Sequence, residues 1–406
     1  MQAGSNGLKP ISLSGAILLA VLLGCGGSSR PSGISKRAFV TNFFGGTTAP
    51  SGIVQIVNTS NDQPSTSAIS VGSQPSLMAV SPGREITIVL NTANNQISVI
   101  TNSNEKVNAN TVQLPDTTES MIAQNASLGY AAFRNAGGGQ VLVLDLANIA
   151  VLNTLAVTRA HRMVMNPAGT KVLVFSDSYA CTGNGTALTV MDLTVSPPAL
   201  TTVCGFNEAV WGVFSSDSTT AYIMNCGPEC GASGTASVAV LNMTSATVTS
   251  TTPLTNAGAT VGFLNGTNLY VAGTLNGTPG AGTLTTLNVS SGVPVPSAPV
   301  HISDGYHSLM VLGANNKLFT GSSLNCTNSG LAGCLSIFDA SAGTAIIDTP
   351  KGMVSSMVPI AGRNAVYVIE GGVLRVYDTT TSQESVISTV NITGQVVDVK
   401  AVDQPQ

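Results

Sequence analysis

The chain has 406 residues and few charges, with 15 Lys and Arg against 19 Asp and Glu and a formal net charge of −4 at pH 7. The charges are scattered, so the sequence lacks the basic patch that nucleic-acid binding requires, and we expect no nucleic-acid partner. Thr, Ser, Asn, Gly and Val are abundant and only 8% of residues are charged, a composition that favours β-strands over helices or disorder.

The first element is a short apolar segment, ISLSGAILLAVLL, at residues 11–23. It is too short for a membrane-spanning helix, which needs roughly 20 residues, but it suits the apolar core of a signal peptide, which has roughly 7–15. Lys9 precedes the segment, and Leu22, Leu23, Gly24 and Cys25 end it. This ending resembles the lipobox of bacterial lipoproteins; the alternative is an ordinary secretory signal with a chance cysteine.

The lipobox resemblance implies that residues 1–24 are removed and that the sulfur of Cys25 carries a lipid. Residues 25–36, rich in Gly and Ser, then form a flexible tether, and residues 37–406 form one domain. The residue after the cysteine is Gly26 and not the Asp that retains lipoproteins at the inner membrane. We therefore expect an exported protein that is lipid-anchored in the bacterial cell envelope, at the outer membrane.

An internal repeat follows the tether. Each unit has an apolar strand, a tight turn, a second apolar strand, a loop rich in Gly and Asn, and a third strand. The second strands are predicted to begin 43 to 50 residues apart, near Arg37, Arg84, Ser127, Thr170, Thr219, Thr267, Lys317 and Ala365. Blades of a β-propeller, each a four-stranded sheet, repeat at this interval.

Two segments of the repeat are similar to the YVTN family, namely RAFVTN at 37–42 and PSLMAVSPGREITIVLN at 75–91. Phe39 replaces the family's Tyr, and later copies lose the Ser-Pro turn. The resemblance implies an all-β propeller of the kind found in secreted and surface-layer proteins, mostly without an assigned activity. We predict eight four-stranded blades, with seven as the alternative, closed by pairing of residues 394–402 with 37–43.

Six cysteines lie beyond the lipobox, an even number that indicates disulfides in an exported chain. Their clustering predicts three local pairs: Cys181–Cys204, Cys226–Cys230 and Cys326–Cys334. The segment CGPEC could instead be half of a zinc site, but no second pair of ligands follows at zinc-finger spacing. The expected strand order places all six cysteines at one end of the propeller, the top face, where each innermost strand begins.

The same topology gathers polar and aromatic residues at the top of the central channel. The candidate ligand-site residues are Glu119, His161, Arg162, Glu208, Trp211, Tyr306 and His307. They are either a polar ligand or metal site or simply solvated residues of the rim. We assign no metal to this position, because no ligand spacing supports one and because His161 and His307 belong to blades that are three apart in the ring.

The sequence contains no motif for a nucleophilic serine, a phosphate-binding loop, a zinc protease or covalent haem, so we assign no catalytic residue and expect no cofactor. The first hypothesis is a monomeric binding or scaffold module for a protein, glycan or small molecule. The alternative is a propeller hydrolase of the lactonase type, with its polar site at the channel mouth. A third hypothesis is a purely structural envelope protein.

Overall fold

The computed structural model describes residues 30–44, 52–181, 185–278, 280–323, 326, 334–381 and 385–403. The predicted signal peptide, Cys25 and the first part of the predicted tether lie outside these residues. No helix in the described ranges is long and apolar enough to cross a bilayer.

The described chain folds into eight antiparallel sheets, which we call blades. Blade 1 contains β1 (Arg37–Phe43), β2 (Gly52–Asn58) and β3 (Gln63–Val71); blade 2 contains β4 (Pro75–Val80), β5 (Ile86–Asn91), β6 (Gln96–Thr101), β7 (Lys106–Val107) and β8 (Val112–Gln113); blade 3 contains β9 (Ser120–Ala123), β10 (Leu128–Phe133), β11 (Gln140–Asp145) and β12 (Ala150–Ala156); blade 4 contains β13 (Ala160–Met165), β14 (Lys171–Ala180), β15 (Thr186–Asp192) and β16 (Ala199–Phe206).

The second half of the ring repeats this order. Blade 5 contains β17 (Ala209–Phe214), β18 (Thr220–Asn225), β19 (Ser237–Asn242) and β20 (Thr247–Pro253); blade 6 contains β21 (Val261–Asn265), β22 (Asn268–Thr274), β23 (Gly282–Asn288), β24 (Val295–Pro296) and β25 (Val300–His301); blade 7 contains β26 (Tyr306–Leu312), β27 (Lys317–Ser323), β28 (Leu335–Asp339) and β29 (Thr344–Ile347); blade 8 contains β30 (Val354–Pro359), β31 (Ala365–Glu370), β32 (Val373–Asp378) and β33 (Val386–Thr389); and β34 (Gln395–Ala401) ends the chain.

Burial explains why each strand has its particular composition. The second strands β5 and β31 are mainly apolar, and all six residues of each, including Thr87, Asn91 and Glu370, are buried because neighbouring blades cover both faces of the sheet. The outer strand β20 instead alternates exposed and half-buried residues, as expected of a strand at the rim. In blades 2 and 6 the outer strand is split in two, and both parts pair with the same third strand.

The ring is closed by the two ends of the chain. β34 pairs antiparallel with β1, from Ala38 opposite Ala401 to Phe43 opposite Gln395, so the last strand of the sequence is the innermost strand of blade 1. Around the channel each innermost strand contacts the next, and β34 contacts both β4 and β30. The prediction of eight blades closed by the terminal strands is therefore confirmed, and the alternative of seven blades is excluded.

The hydrophobic core consists of eight clusters, each lying between two adjacent blades. Between blades 7 and 8, for example, the rings of Phe319 and Tyr377 meet edge to face with their centroids 6.0 Å apart. Each fully buried Val, Leu, Ile or Phe stabilises the fold by about 1.5–3 kcal/mol. Since a blade buries its faces only against its neighbours, stability depends on the complete ring.

A polar cluster fastens the seam between blade 8 and blade 1. The Arg363 guanidinium donates to both carboxylate oxygens of Asp62, with Nη2–Oδ2 at 2.9 Å. The Tyr367 hydroxyl donates to the same carboxylate at 2.6 Å. The hydrogen bonds from Arg363 and Tyr367 lower the pKa of Asp62 although burial opposes them, so this seam carries an ionised, fully paired acid.

A second polar cluster lies at the bottom face, the end opposite the top face, where the chain enters the propeller. Arg37 is buried and pairs with Glu105 at 2.9 Å and with Asp403 at 2.8 Å. Residues before β1 join the same acids, since Ser32 donates its backbone N–H to Glu105 at 2.8 Å and Arg30 pairs with Asp403 at 3.2 Å. We call these five residues the entry clamp. The described part of the predicted tether is thus bound to the propeller.

The three predicted disulfide pairs are present, with Cα–Cα distances of 6.0 Å for Cys181–Cys204, 5.7 Å for Cys226–Cys230 and 5.1 Å for Cys326–Cys334. Each involves the connection that follows the second strand of a blade, β14, β18 or β27. These connections share one end of the ring, so all three disulfides lie at the top face. The short 3₁₀ turn Gly227–Cys230 brings Cys230 back towards Cys226.

Candidate functional site

The candidate residues lie where the innermost strands begin. His161 and Arg162 are the second and third residues of β13, Trp211 is the third residue of β17, and Tyr306 is the first of β26. The register of β13 against β14 shifts between Ala160 and Arg162, and β17 shifts similarly before Trp211. Such β-bulges bend a strand and redirect its side chains. At these positions they occur at the mouth of the central channel.

A charged network links blades 3 and 4 at the mouth. The side chain of Glu119 accepts from Arg134 at 3.0 Å and lies 2.8 Å from His161 Nδ1 through the same oxygen, Oε2. Arg134 Nε lies 2.7 Å from the carboxylate of Asp177. The hydrogen bond from His161 lowers the pKa of Glu119 against the effect of partial burial, and the charges of Arg134 and Arg162 add to this lowering. The network is therefore anchored by an ionised acid.

The position of Glu119 fixes the orientation of the His161 ring. Both His161 Nδ1 and Arg134 Nη2 approach Glu119 Oε2, and the two nitrogens lie 2.7 Å apart. The carboxylate oxygen only accepts and Arg134 Nη2 only donates, so the contact with Glu119 requires a proton on Nδ1 and the contact with Arg134 requires a lone pair there. In the neutral tautomer that donates to Glu119, Nε2 carries a lone pair. A histidine held by a carboxylate in this way can accept a proton or a ligand hydrogen bond through Nε2.

Arg162 occupies a different environment, since its guanidinium lies 4.9 Å from the ring centroid of Trp211. The indole N–H of Trp211 donates to the Gly262 carbonyl at 3.0 Å, which fixes the ring against blade 6. Burial lowers the pKa of Arg162, although Tyr306 and Glu119 oppose the shift. Nη1 of Arg162 is buried, and no residue in the described part of the chain accepts a hydrogen bond from it.

Burial raises the pKa of two further groups, Glu229 and Tyr306. Burial raises the pKa of Glu229 to about 8, although the Thr274 N–H donates to its carboxylate at 2.8 Å. Glu229 is therefore mostly protonated at pH 7. Burial also raises the pKa of Tyr306, with Arg162 opposing the shift. The phenol of Tyr306 therefore interacts electrostatically with both the Arg162 cation and the Glu229 carboxyl.

Two adjoining cavities open at this site, and His161 lines both. The smaller, about 170 Å³, also contacts Asp116, Glu119 and Arg134. The larger, about 290 Å³, is lined by His161, Ser176, Asp177, Glu208, Cys230 and Tyr306. The Ser176 hydroxyl is buried and has no hydrogen-bond partner among the described residues. Polar groups of blades 3 and 4 therefore line the smaller cavity, and polar groups of blades 4, 5 and 7 line the larger one.

His307 lies beneath this site and not in it. The residue is fully buried on β26, and neither ring nitrogen has a hydrogen-bond partner of good geometry in the described part of the chain. Burial lowers the pKa of His307 to about 4, with the Ser303 backbone and the charge of Asp304 opposing the shift. His307 is therefore neutral at pH 7. The described ranges contain no group of three or more His, Cys, Asp or Glu placed to hold a metal ion.

Four residues of the site were not singled out by sequence reasoning: Arg134, Ser176, Asp177 and Glu229. Arg134 directly follows β10, and Ser176 and Asp177 lie in the second half of β14, and the repeat pattern marks none of these positions as more than part of a strand or its boundary. Glu229 lies inside the CGPEC disulfide loop, so its only sequence signal is its position between the two cysteines.

Comparison with known proteins supports the fold and no more specific assignment. No family model and no curated protein matches the chain. The YVTN and lipobox resemblances therefore stay predictions.

Solved structures do match, at low sequence identity. Dihydro-heme d1 dehydrogenase NirN, in complex with DHE, shares 12% identity and a TM-score of 0.67 over 91% of this chain and 75% of that one. Hydrazine synthase of Kuenenia stuttgartiensis shares 14% identity and a TM-score of 0.56 over 78% and 96%. The Cps50 (Swd1) β-propeller domain of Myceliophteria thermophila shares 8% identity and a TM-score of 0.51 over 73% and 94%. At these identities the likeness shows a propeller and leaves function open.

Proposed function

We propose that this protein is a lipid-anchored envelope propeller that binds a small molecule, or an exposed part of a glycan or protein, at the top of its channel. The observation that supports this proposal is the 290 Å³ cavity at the mouth, where Ser176, His161 and Tyr306 converge. A concave site with a few convergent polar groups and shifted pKa values is the usual form of a ligand-binding site.

The surrounding structure supports a binding role because it holds the site rigid. The mouth residues stand on strands of four blades, and Cys230, at the cavity wall, is joined to Cys226 by a disulfide. Groups fixed before binding lose little conformational entropy when a ligand arrives. A site of this kind gains affinity without needing a large contact area.

A ligand screen by thermal unfolding, together with recovery of partners from envelope extracts, tests this function. A ligand should raise the melting temperature of the wild type and of the bottom-face control Asp192→Ala. The double variant His161→Ala/Tyr306→Phe should lose the response. A ligand that stabilises the double variant as well as the wild type would contradict a site at the mouth.

A hydrolase is the second candidate, and the pairing of Glu119 with His161 is the observation that favours it. A carboxylate-bound imidazole with Nε2 unprotonated can act as general base towards water attacking an ester or lactone. Assays with aryl esters and lactones would test this. We expect Glu119→Gln and His161→Ala to lower any hydrolysis by about 10²–10⁴-fold, the usual contribution of a general base. Hydrolysis unaffected by either substitution would exclude this site as its source.

A further inference from the structure

Arg162 differs from the other buried cations in lacking a carboxylate partner. Arg37 pairs with Glu105 and Asp403, and Lys317 pairs with Asp339. In the described ranges Arg162 forms no ion pair, and its Nη1 is buried without an acceptor. A buried donor left unpaired is destabilising, and the cost is larger when the donor is charged. Arg162 is therefore a cation at the mouth with a buried N–H group that could donate a hydrogen bond to a ligand.

The difference is visible in the acid–base behaviour of the two arginines. Burial alone would lower the pKa of both. The hydrogen bonds and charges of Asp403 and Glu105 reverse the effect at Arg37 and raise its pKa. At Arg162 nothing of comparable strength compensates, and its pKa is lowered. Arg162 is held in place by Trp211 and not by an anion.

The acids of the mouth are already engaged or neutral, and Glu208, which lines the 290 Å³ cavity, also has an interaction partner. Arg134 pairs with both Glu119 and Asp177, so these carboxylates are shared with another cation. Glu229, whose pKa is about 8, is mostly uncharged at pH 7 and repels an incoming anion only weakly. Tyr306 interacts electrostatically with Arg162, and in the described part of the chain its hydroxyl makes no hydrogen bond.

We propose that the ligand bound at the mouth carries an oxyanion, a carboxylate or a phosphate, and that Arg162 is the cation that binds it. The planar guanidinium presents several N–H donors at fixed angles, which match two oxygens of either group. Trp211 covers the guanidinium from one face. Arg162 interacts electrostatically with Tyr306, which lines the 290 Å³ cavity together with Ser176. The hydroxyls of Tyr306 and Ser176 are additional donors along this cavity, whose volume suits a molecule of metabolite size.

This inference rests on the proposed binding function and is tested with two simple probes, inorganic phosphate and benzoate, against sodium chloride at equal ionic strength. Titration calorimetry should show binding of at least one probe to the wild type. Arg162→Gln should weaken it about tenfold or more, the usual loss for a hydrogen bond to a charged group. The matched control Arg159→Gln removes an exposed cation nearby and should bind as the wild type does.

Arg162→Lys keeps the charge and loses the planar group, so it should retain weaker binding than the wild type and stronger binding than Arg162→Gln. The preferred probe identifies the ligand class: phosphate indicates a phosphorylated ligand, and benzoate indicates a carboxylic acid. Thermal unfolding without a probe verifies that each variant is folded. If Arg162→Gln does not fold, the affinity of Arg162→Lys for the probe is compared with that of Arg159→Gln instead.

Two results would overturn the oxyanion proposal. One is equal binding by the wild type and Arg162→Gln. The other is no binding of either probe to the wild type up to about 10 mM, a concentration at which even millimolar affinities are detected. A neutral ligand that depends on His161 and Tyr306 but not on Arg162 would refute the oxyanion and preserve the binding function. A screen that finds no ligand and no partner would refute the binding function itself.

Discussion

At the scale of single residues, the most unusual contact is that of the Tyr377 hydroxyl with two buried carboxylates. It contacts Asp348 and lies 2.5 Å from Glu370 Oε2. One hydroxyl proton cannot be donated to both acids, so a second proton must be present for both contacts to be hydrogen bonds. Burial raises the pKa of Glu370 to about 7, and the charge of Asp348 adds to the shift, against opposing effects from Tyr377, Lys351 and Arg375. Glu370 therefore carries the second proton.

This raised pKa predicts a pH-dependent loss of stability. The folded state retains the Glu370 proton up to about pH 7, whereas the unfolded chain releases it near its ordinary pKa of 4.5. Stability from this group is complete below about pH 4.5 and declines as the pH rises to about 7. Glu370→Gln, which mimics the protonated acid, should reduce the decline by on the order of 3 kcal/mol.

Urea unfolding from pH 4 to 8 measures this difference. The control is Glu85→Gln, which changes an exposed acid at the bottom face. The free energy of unfolding of Glu85→Gln should follow that of the wild type at each pH. Parallel pH profiles for Glu370→Gln and the wild type would show that the buried proton is not on Glu370.

At the scale of strands and loops, the disulfides differ in how much chain they restrict. Cys181 and Cys204 are 23 residues apart, and Cys226 and Cys230 are only four apart. Since a longer closed loop removes more entropy from the unfolded chain, Cys181→Ala/Cys204→Ala should cost about 3 kcal/mol and Cys226→Ala/Cys230→Ala about 2 kcal/mol. Urea unfolding of the two double variants under non-reducing conditions tests the order. A larger loss for the shorter loop would show that native packing outweighs loop entropy.

The closing strand β34 should be indispensable because it completes blade 1. Deleting residues 395–406 exposes the ladder edge of β1 and removes Val396 and Val399 from the cluster between blades 8 and 1. At about 1.5–3 kcal/mol per buried valine, the loss is comparable with the whole stability of many domains, about 5–15 kcal/mol. Deleting only residues 404–406 is the control. Cooperative unfolding of the longer deletion at the wild-type temperature would contradict closure by β34.

The strands also show which features could be predicted from the sequence alone. The predicted starts of the second strands fall within two residues of the observed ones, because apolar runs bounded by Gly, Asn and Pro mark both ends of a buried strand. The pairing of Glu119 with His161 and Arg134 could not be read from the sequence. It depends on bulges and on which side chains of adjacent blades converge, and neither leaves a periodic signal. His307 carried the same sequence pattern as His161 and lies buried.

For the protein as a whole, the proposed attachment to the membrane depends on Cys25. If Cys25 carries a lipid, Cys25→Ser should move the protein from the membrane fraction to the soluble fraction, because a lipid chain contributes about 0.8 kcal/mol of membrane affinity per buried CH₂. Fractionation followed by mass spectrometry of the N-terminus measures this. Cys226→Ala/Cys230→Ala, which removes other cysteines, should stay with the membrane. A Cys25→Ser protein that remains membrane-bound would contradict the lipobox interpretation.

The entry clamp determines which face of the propeller lies next to the N-terminal segment. Arg30 and Ser32 are held at the bottom face, and only five peptide bonds separate Cys25 from Arg30. Fully extended, this stretch reaches at most about 18 Å. A lipid at Cys25 would therefore keep the bottom face close to the bilayer, with the mouth facing away from it. A ligand of the mouth would then reach Arg162 from the aqueous side, and a partner embedded in the same membrane leaflet would meet the opposite end of the molecule.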